Sequence, residues 1–115
     1  DAEEDLRFVK HFKNYISEAK AYTKKSELAN FGLPYYNMQR NILEFNLDKF
    51  EDYLHRQKVN LQRVDLVIKC QNILKAKKNH GKFENKSCVS WRILDQAVDT
   101  EDIIVEGEFK EITDE

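Results

Sequence analysis

Lysine is concentrated in one short segment of the chain. Within 12 residues the segment holds Lys75, Lys77, Lys78, Lys82 and Lys86. A helix C-terminus favours cations, but capping does not require five of them. Ammonium groups at this density neutralise phosphates and release counterions, which gives an affinity for nucleic acids that falls steeply with salt. The segment therefore predicts a nucleic-acid-binding surface, to which Arg40 and Arg92 add planar donors; a solvated helix end is the alternative.

Residue types suited to acid–base or metal chemistry are scattered. The histidines His11, His55 and His80 lie in different segments, and the sequence has no glycine-rich phosphate loop and no zinc-type spacing of cysteine or histidine. Glu51 and Asp52 beside His55 form one compact carboxylate–imidazole group, which a solvated helix face explains equally well. We therefore expect no enzymatic activity, no metal and no cofactor. A small hydrolase or nuclease is the least favoured alternative.

The two cysteines, Cys70 and Cys88, are too few for a disulfide framework and sit among apolar residues. They are expected to be small buried side chains. The acidic residues 1–5 contain no apolar signal region, and no apolar run approaches the roughly 18 residues that a membrane span needs. These features favour a reducing, cytoplasmic setting without membrane association.

The formal net charge of −2 conceals a strong segregation of charge. Residues 1–5 carry −4 and residues 95–115 carry −8, whereas residues 6–94 hold 18 lysines and arginines against eight acids, a net +10. A basic body between acidic ends is typical of chains that bind polyanions. The alternative is a lysine-rich helical surface whose charge the acidic ends balance for solubility.

The acidic segment 99–115 also contains apolar residues. These are Ile103, Ile104, Val105 and Phe109. An isolated hairpin is marginally stable, so we expect a tail that is flexible or forms a short hairpin. Such a tail can present these four residues to a groove on a protein partner, or fold back on the basic body and compete with nucleic acid. An inert, solubilising tail is the alternative.

Composition and periodicity predict an all-α fold. With 3 glycines and 1 proline in 115 residues, the chain has few of the turn residues that all-β folds use. We expect one small bundle of about four helices over residues 1–98, followed by the acidic tail, residues 99–115. The first helix is predicted over residues 3–24, because Phe8, Phe12, Tyr15, Ala19 and Tyr22 recur at spacings of 4, 3, 4 and 3.

Further helices are predicted from caps and apolar spacing. Ser26 and Gly32 can begin and end a short helix. Longer helices are predicted over residues 34–57, where Asn46 offers a cap for a separate second piece, over residues 61–78 and over residues 87–98. The predicted helix over residues 61–78 has a wide apolar face that includes Val64 and Ile68.

Residues 26–40, with the sequence SELANFGLPYYNMQR, resemble a helix–turn–helix. In that motif a small residue precedes the turn glycine by four positions, whereas Ala29 precedes Gly32 by three. The resemblance implies that a recognition helix begins with Tyr35, Tyr36, Gln39 and Arg40.

Together these features predict a non-catalytic accessory protein of the replication or recombination type. Its basic body binds the phosphate backbone of a nucleic acid, and its acidic tail recruits a partner or regulates binding. The alternative is a protein–protein adaptor or inhibitor that binds no nucleic acid. The expected partners are therefore a nucleic acid, a larger protein, or a second copy of the chain in a homo-oligomer.

Overall fold

The computed structural model describes residues 2–19, 24–37 and 39–94. These residues form four helices and four strands, so the prediction of an all-α bundle is wrong. The acidic tail predicted over residues 99–115 lies outside the described residues. In chain order the elements are α1 (Ala2–Ala19), α2 (Lys25–Phe31), β1 (Tyr35–Asn37), β2 (Ile42–Phe45), α3 (Leu47–Arg56), α4 (Arg63–Asn72), β3 (Lys77–Phe83) and β4 (Lys86–Leu94).

The four strands form one antiparallel sheet in the order β1-β2-β4-β3. The register places Phe45 of β2 opposite Trp91 of β4, and Lys77 of β3 opposite Arg92 of β4. The chain leaves the sheet after β2, forms α3 and α4, and returns as the β3–β4 hairpin. The two helices are therefore inserted between a central strand and the hairpin that completes the sheet.

One face of the sheet packs against the helices. Its buried side chains share a single core with residues of α1, α3 and α4. The strand residues in this core are Tyr36, Leu43, Phe45, Trp91 and Ile93. Because opposite residues of an antiparallel pair lie on the same face, the same face continues along the hairpin beyond the core.

The prediction of a first amphipathic helix is confirmed. In α1 the residues Phe8, Phe12 and Tyr15 are buried, and the ring of Phe12 lies 4.9 Å from that of Phe45 and 5.2 Å from that of Phe50, centroid to centroid. Edge-to-face contacts of this kind add to the stability gained by burial. The helix is described to Ala19, and Tyr22 lies outside the described residues.

Two of the three predicted helix-end residues are also confirmed. The third, Ser26, is wrong, because α2 begins at Lys25 without a side-chain cap. Gly32 ends α2 in the left-handed conformation, with φ 69°, and its backbone N–H bonds back to the helix. The side chain of Asn46 accepts a hydrogen bond of 3.1 Å from the backbone N–H of Lys49 and so begins α3. This cap divides the helix predicted over residues 34–57, whose first half is β1 and β2 instead.

The strands lack a recognisable strand pattern because the sheet is covered on both faces along part of its length. All four residues of β2, Ile42–Phe45, are buried, and a strand buried on both faces shows no polar–apolar alternation. In β4 the buried Cys88 and Ser90 lie on one face and the buried Trp91 and Ile93 on the other. Short apolar runs of this kind are indistinguishable from buried helix by periodicity alone.

Three sequence-based predictions are corrected by this sheet. The helix predicted over residues 61–78 ends at Asn72, and β3 begins at Lys77. Most of the helix predicted over residues 87–98 is strand β4. The helix–turn–helix resemblance of residues 26–40 is wrong, because Tyr35 and Tyr36 belong to strand β1 rather than to a recognition helix.

Candidate nucleic-acid interface

The β3–β4 hairpin carries four of the five clustered lysines. Its strands are joined by Glu84 and Asn85, whose φ values of 51° and 67° are both left-handed. Positive φ at both central residues is the geometry of the two-residue turn that matches the twist of paired strands. Seven successive residue pairs, from Lys77 opposite Arg92 to Phe83 opposite Lys86, hold the hairpin in one register.

The register distributes the lysines over both faces of the hairpin. Lys78 and Lys82 lie on the face that continues from the core, and Lys77 and Lys86 lie on the other face. Lys75 precedes β3 in a left-handed conformation, with φ 55°. All five are exposed, and among the described residues no carboxylate lies within ion-pair distance of any of them. Their charge is therefore available to an anionic ligand.

An arginine fixes α4 against α3. Arg63, the first residue of α4, lies 2.8 Å from a carboxylate oxygen of Asp48 and 2.7 Å from one of Glu51. Partial burial lowers the pKa of Arg63, but hydrogen bonds to Asp48 and Glu51 outweigh it and hold the pKa above its ordinary value. The charge of Arg63 is thus compensated within the helix pair.

Lys78 lies where α4 meets the hairpin. A groove beside the N-terminal half of α4 is lined by Val67 of the helix together with Lys78 and Val89 of the hairpin. A second groove, at the C-terminal half of α4, is lined by Gln71 and residues 75–78. Lys78 borders both grooves, so α4 adjoins the basic hairpin through its row Arg63, Val67 and Gln71. We refer to α4 and the hairpin with its approach, residues 63–72 and 75–89, as the α4–hairpin surface.

The structure places Arg92 in a buried polar cluster. Its Nε lies 3.5 Å from Oε1 of Glu44, and the hydroxyl of Ser90 donates a 2.8 Å hydrogen bond to the same oxygen. Glu44 is buried, so Arg92 compensates a carboxylate inside the sheet. Tyr35 stands opposite Glu44, and burial, followed by the negative charge of Glu44, raises the pKa of Tyr35.

Arg40 lies apart from the lysine cluster. It is exposed in the turn between β1 and β2, and its backbone N–H donates to the side chain of Asn37. This turn is at the opposite end of the sheet from the β3–β4 turn. Of the seven residues predicted to bind nucleic acid, the structure therefore gathers the five lysines and separates Arg40 from them. Arg92 lies directly opposite Lys77, but its guanidinium is beside the carboxylate of Glu44. The predicted partner-binding residues Ile103, Ile104, Val105 and Phe109 lie outside the described residues.

The sequence did not predict that part of the apolar face of α4 is exposed. Val64 and Ile68 belong to the wide apolar face predicted for residues 61–78, and they are 59% and 46% exposed. The signal was present in the sequence: the apolar residues between 61 and 74 spread too widely around a helix to fit one buried stripe. The excess apolar positions are the ones that face outward.

The predicted carboxylate–imidazole group is divided between two sides of α3. Glu51 binds Arg63, whereas Asp52 and His55 line a cavity of about 730 Å³ that also contacts Phe31. Within residues 2–19, 24–37 and 39–94, no three His, Cys, Asp or Glu side chains gather in a way that would hold a metal ion.

Comparisons with known proteins add no relative. No family model, no curated protein and no solved structure matches this chain. In the part of the chain that the structure describes, no helix combines the length and apolar character needed to cross a bilayer.

Proposed function

We propose that this chain is a non-catalytic nucleic-acid-binding protein whose β3–β4 hairpin contacts phosphates and whose α4 lies against the same nucleic acid. The observation that carries the proposal is the lysine cluster itself. Five exposed lysines, Lys75, Lys77, Lys78, Lys82 and Lys86, lie on one hairpin and its approach, without a carboxylate partner among the described residues. Clustered, uncompensated ammonium groups favour a polyanionic ligand.

Protection of a sheet edge explains part of this pattern but not all of it. β3 is an edge strand, and lysines on such strands discourage pairing with other chains. That argument covers Lys77, Lys78 and Lys82. It does not cover Lys75, which precedes the strand, or Lys86, which belongs to the inner strand β4.

The order of elements gives independent support. Strand β2, helices α3 and α4 and the β3–β4 hairpin follow one another along the chain, and β2 pairs with β4, the second strand of the hairpin. This is the order of a winged helix–turn–helix, although the connector between α3 and α4, residues 57–62, exceeds the usual three or four residues. In helix–turn–helix proteins the second helix lies in the major groove. By this analogy α4 is the helix that faces the ligand.

A salt titration with matched charge reversals tests the proposal. Binding to short single- and double-stranded oligonucleotides is measured by fluorescence anisotropy across a range of salt concentrations. We expect affinity to fall by orders of magnitude as salt rises, and the Lys78→Glu/Lys82→Glu pair to abolish binding. The control pair Lys10→Glu/Lys13→Glu makes the same charge change on α1. Absence of binding at low salt, or equal loss in both pairs, would overturn the proposal.

The acidic C-terminal segment is proposed to regulate this surface. Its charge of −8 over residues 95–115 competes with nucleic acid for the lysines. Removing residues 99–115 is then expected to tighten oligonucleotide binding at low salt, whereas an unchanged affinity would reject this role and leave the interface itself in place.

A cytoplasmic setting is part of the proposal. Cys70 and Cys88 are both buried and unpaired. Free cysteines are typical of proteins that fold in a reducing compartment. The nucleic acid that we propose as the ligand is also present in that compartment.

A second candidate function is that of a protein-binding adaptor. It is favoured by Phe31, which is exposed at the end of α2 and borders the 730 Å³ cavity beside His55 and Arg56. A large exposed aromatic side chain at the rim of a cavity is a common feature of protein interfaces. A Phe31→Asp variant that lost a cellular partner and kept its oligonucleotide affinity would support this function as a separate one.

A further inference from the structure

The outward side of α4 carries a short stripe of unusual composition. Val64 and Ile68 are four residues apart and both exposed, and Gln71, three residues after Ile68, continues the stripe by about one turn. Side chains at these spacings lie on one face of a helix. Two neighbouring branched apolar side chains and an amide thus face solvent where a surface helix ordinarily presents charge.

The basic residues of α4 are directed away from this stripe. Arg63 is bound to Asp48 and Glu51, and the ammonium of Lys69 lies over the ring of Phe8 on the α1 side. Along the whole of α4, which the structure describes, the stripe contains no arginine or lysine. It therefore offers no side chain of the kind that binds the acceptor edge of guanine. What it offers instead are methyl groups and an amide.

These groups match the major-groove edge of A·T base pairs. The thymine 5-methyl group makes apolar contacts, and a glutamine amide pairs with adenine N6 and N7. The ten residues of α4 span about 15 Å, and the major groove of B-form DNA is wide enough to admit a helix. In RNA helices the major groove is too deep and narrow for side chains to recognise bases, and uracil has no methyl group.

The hairpin is placed to hold such a duplex. Lys78 borders both grooves along α4, and Gln71 lines one of them with residues 75–78. A helix in the major groove thus has ammonium groups at its side, where the phosphate backbone passes. Asp65, the acidic residue of α4, is exposed and borders the stripe beside Ile68, on the side away from the hairpin. The row of α4 that faces the hairpin is Arg63, Val67 and Gln71.

We infer that α4 recognises A·T base pairs of double-stranded DNA, with Val64 and Ile68 against thymine methyl groups and Gln71 against adenine. The inference rests on the proposed function and adds to it the class of nucleic acid and the class of base. The lysines supply affinity for any phosphate backbone, and the stripe supplies the preference.

The inference is tested by selecting tight-binding duplexes from a random DNA library and then removing the thymine methyl groups from a selected duplex. We expect A·T-rich duplexes to be enriched and to bind about 5-fold or more tightly than G·C-rich duplexes of the same length and salt. Replacing thymine by deoxyuracil in the selected duplex removes the methyl groups alone, and is expected to lower the affinity severalfold.

Variants assign the preference to the stripe. Val64→Ala/Ile68→Ala is expected to bind the thymine and deoxyuracil duplexes equally, with its salt dependence intact. Leu6→Ala, at an exposed apolar position of α1, is expected to keep the difference. Gln71→Leu is expected to lose the preference for adenine.

The failures are distinguishable. Equal, salt-dependent binding to all duplexes would overturn this inference and leave the proposed function standing. Tighter binding to single-stranded DNA or to an RNA duplex would also overturn it. If the protein bound no nucleic acid at all, both this inference and the proposed function would be overturned. The same would follow if the protein bound no nucleic acid but self-associated, and Val64→Ala/Ile68→Ala abolished the self-association.

Discussion

Lys78 lies directly opposite Trp91, so that an exposed ammonium group and a buried indole share one face of the sheet. Trp91 belongs to the core that α1, α3 and α4 enclose. The position of Lys78 is therefore set by the core rather than by a flexible loop. The hairpin extends from this pair as a continuation of the core sheet, and Lys78 borders the two grooves beside α4.

The turn residue Glu84 is expected to weaken nucleic-acid binding. It is the one acidic residue between positions 77 and 94, and it holds a left-handed conformation, with φ 51°. Glu84→Asn removes the charge and introduces a residue that tolerates this conformation. We expect a modest gain in the free energy of unfolding and severalfold tighter oligonucleotide binding at low salt, measured by urea denaturation and anisotropy.

Asn85→Gly is the control for that variant. It relieves the second left-handed residue of the turn and is expected to add about 1 kcal/mol to the free energy of unfolding, without a change of charge. If Asn85→Gly tightened binding as much as Glu84→Asn, turn rigidity and not the carboxylate would be the cause.

Arg92 is expected to act on stability and not on the ligand. Arg92→Leu leaves the buried carboxylate of Glu44 with the Ser90 hydroxyl as its remaining contact in the cluster. The side chain of Arg92 is 31% exposed, so we expect a loss of about 1–3 kcal/mol in the free energy of unfolding, measured by urea denaturation. The double variant Glu44→Leu/Arg92→Leu should lose less than the sum of the single variants. A fall in oligonucleotide affinity equal to that of Lys78→Glu would instead place Arg92 in the interface.

Asn46 is expected to stabilise the start of α3. Its side chain satisfies the backbone N–H of Lys49, and Asn46→Ala should cost about 1 kcal/mol of unfolding free energy. Asn46→Asp keeps an acceptor at the cap and should retain most of the stability. Thermal unfolding of the two variants distinguishes them, and a stability of Asn46→Ala equal to that of the unsubstituted protein would show that the cap contributes nothing.

Cys70 is expected to make the fold sensitive to alkali. Burial raises the pKa of its thiol from an ordinary 9.0 to about 12. Between these values the unfolded chain releases a proton that the native protein retains, so stability is full below pH 9.0 and falls as the pH rises. The expected slope from this group is about 1.4 kcal/mol per pH unit.

Urea denaturation between neutral pH and pH 10.5 measures that slope. Cys70→Ala should be less stable at neutral pH and show a shallower alkaline loss. The buried tyrosine Tyr15, whose pKa burial also raises, accounts for part of the slope that remains. If the unfolding free energy of Cys70→Ala fell with pH as steeply as that of the unsubstituted protein, the Cys70 thiol would not be a cause of the alkaline loss.

The sequence predicted the parts of the fold that depend on local signals. The spacing of Phe8, Phe12 and Tyr15 predicts α1, and Gly32 and Asn46 mark helix ends through their own backbone and side-chain hydrogen bonds. The sheet depends on pairing that is distant in sequence, since Phe45 of β2 meets Trp91 of β4. No local pattern specifies such a partner.

The candidate site was likewise predicted in part. The lysine cluster is visible in the sequence because charge density does not depend on secondary structure. The secondary structure predicted for it is wrong: lysine favours helices, and the pattern predicts a helix end before Gly81, whereas Lys77 and Lys78 lie on an edge strand. The exposure of Val64 and Ile68 could be seen only in the structure, because the exposure of an apolar residue is decided by what packs against it.

Mapping of the contact surface by NMR shows which part of the molecule meets DNA. Amide chemical shifts of the labelled protein are recorded as an A·T-rich DNA duplex is added at low salt. We expect the shift changes to concentrate in residues 63–72 and 75–89, the α4–hairpin surface. Shifts that instead surround Phe31 and His55, or that are spread evenly over the molecule, would contradict this expectation.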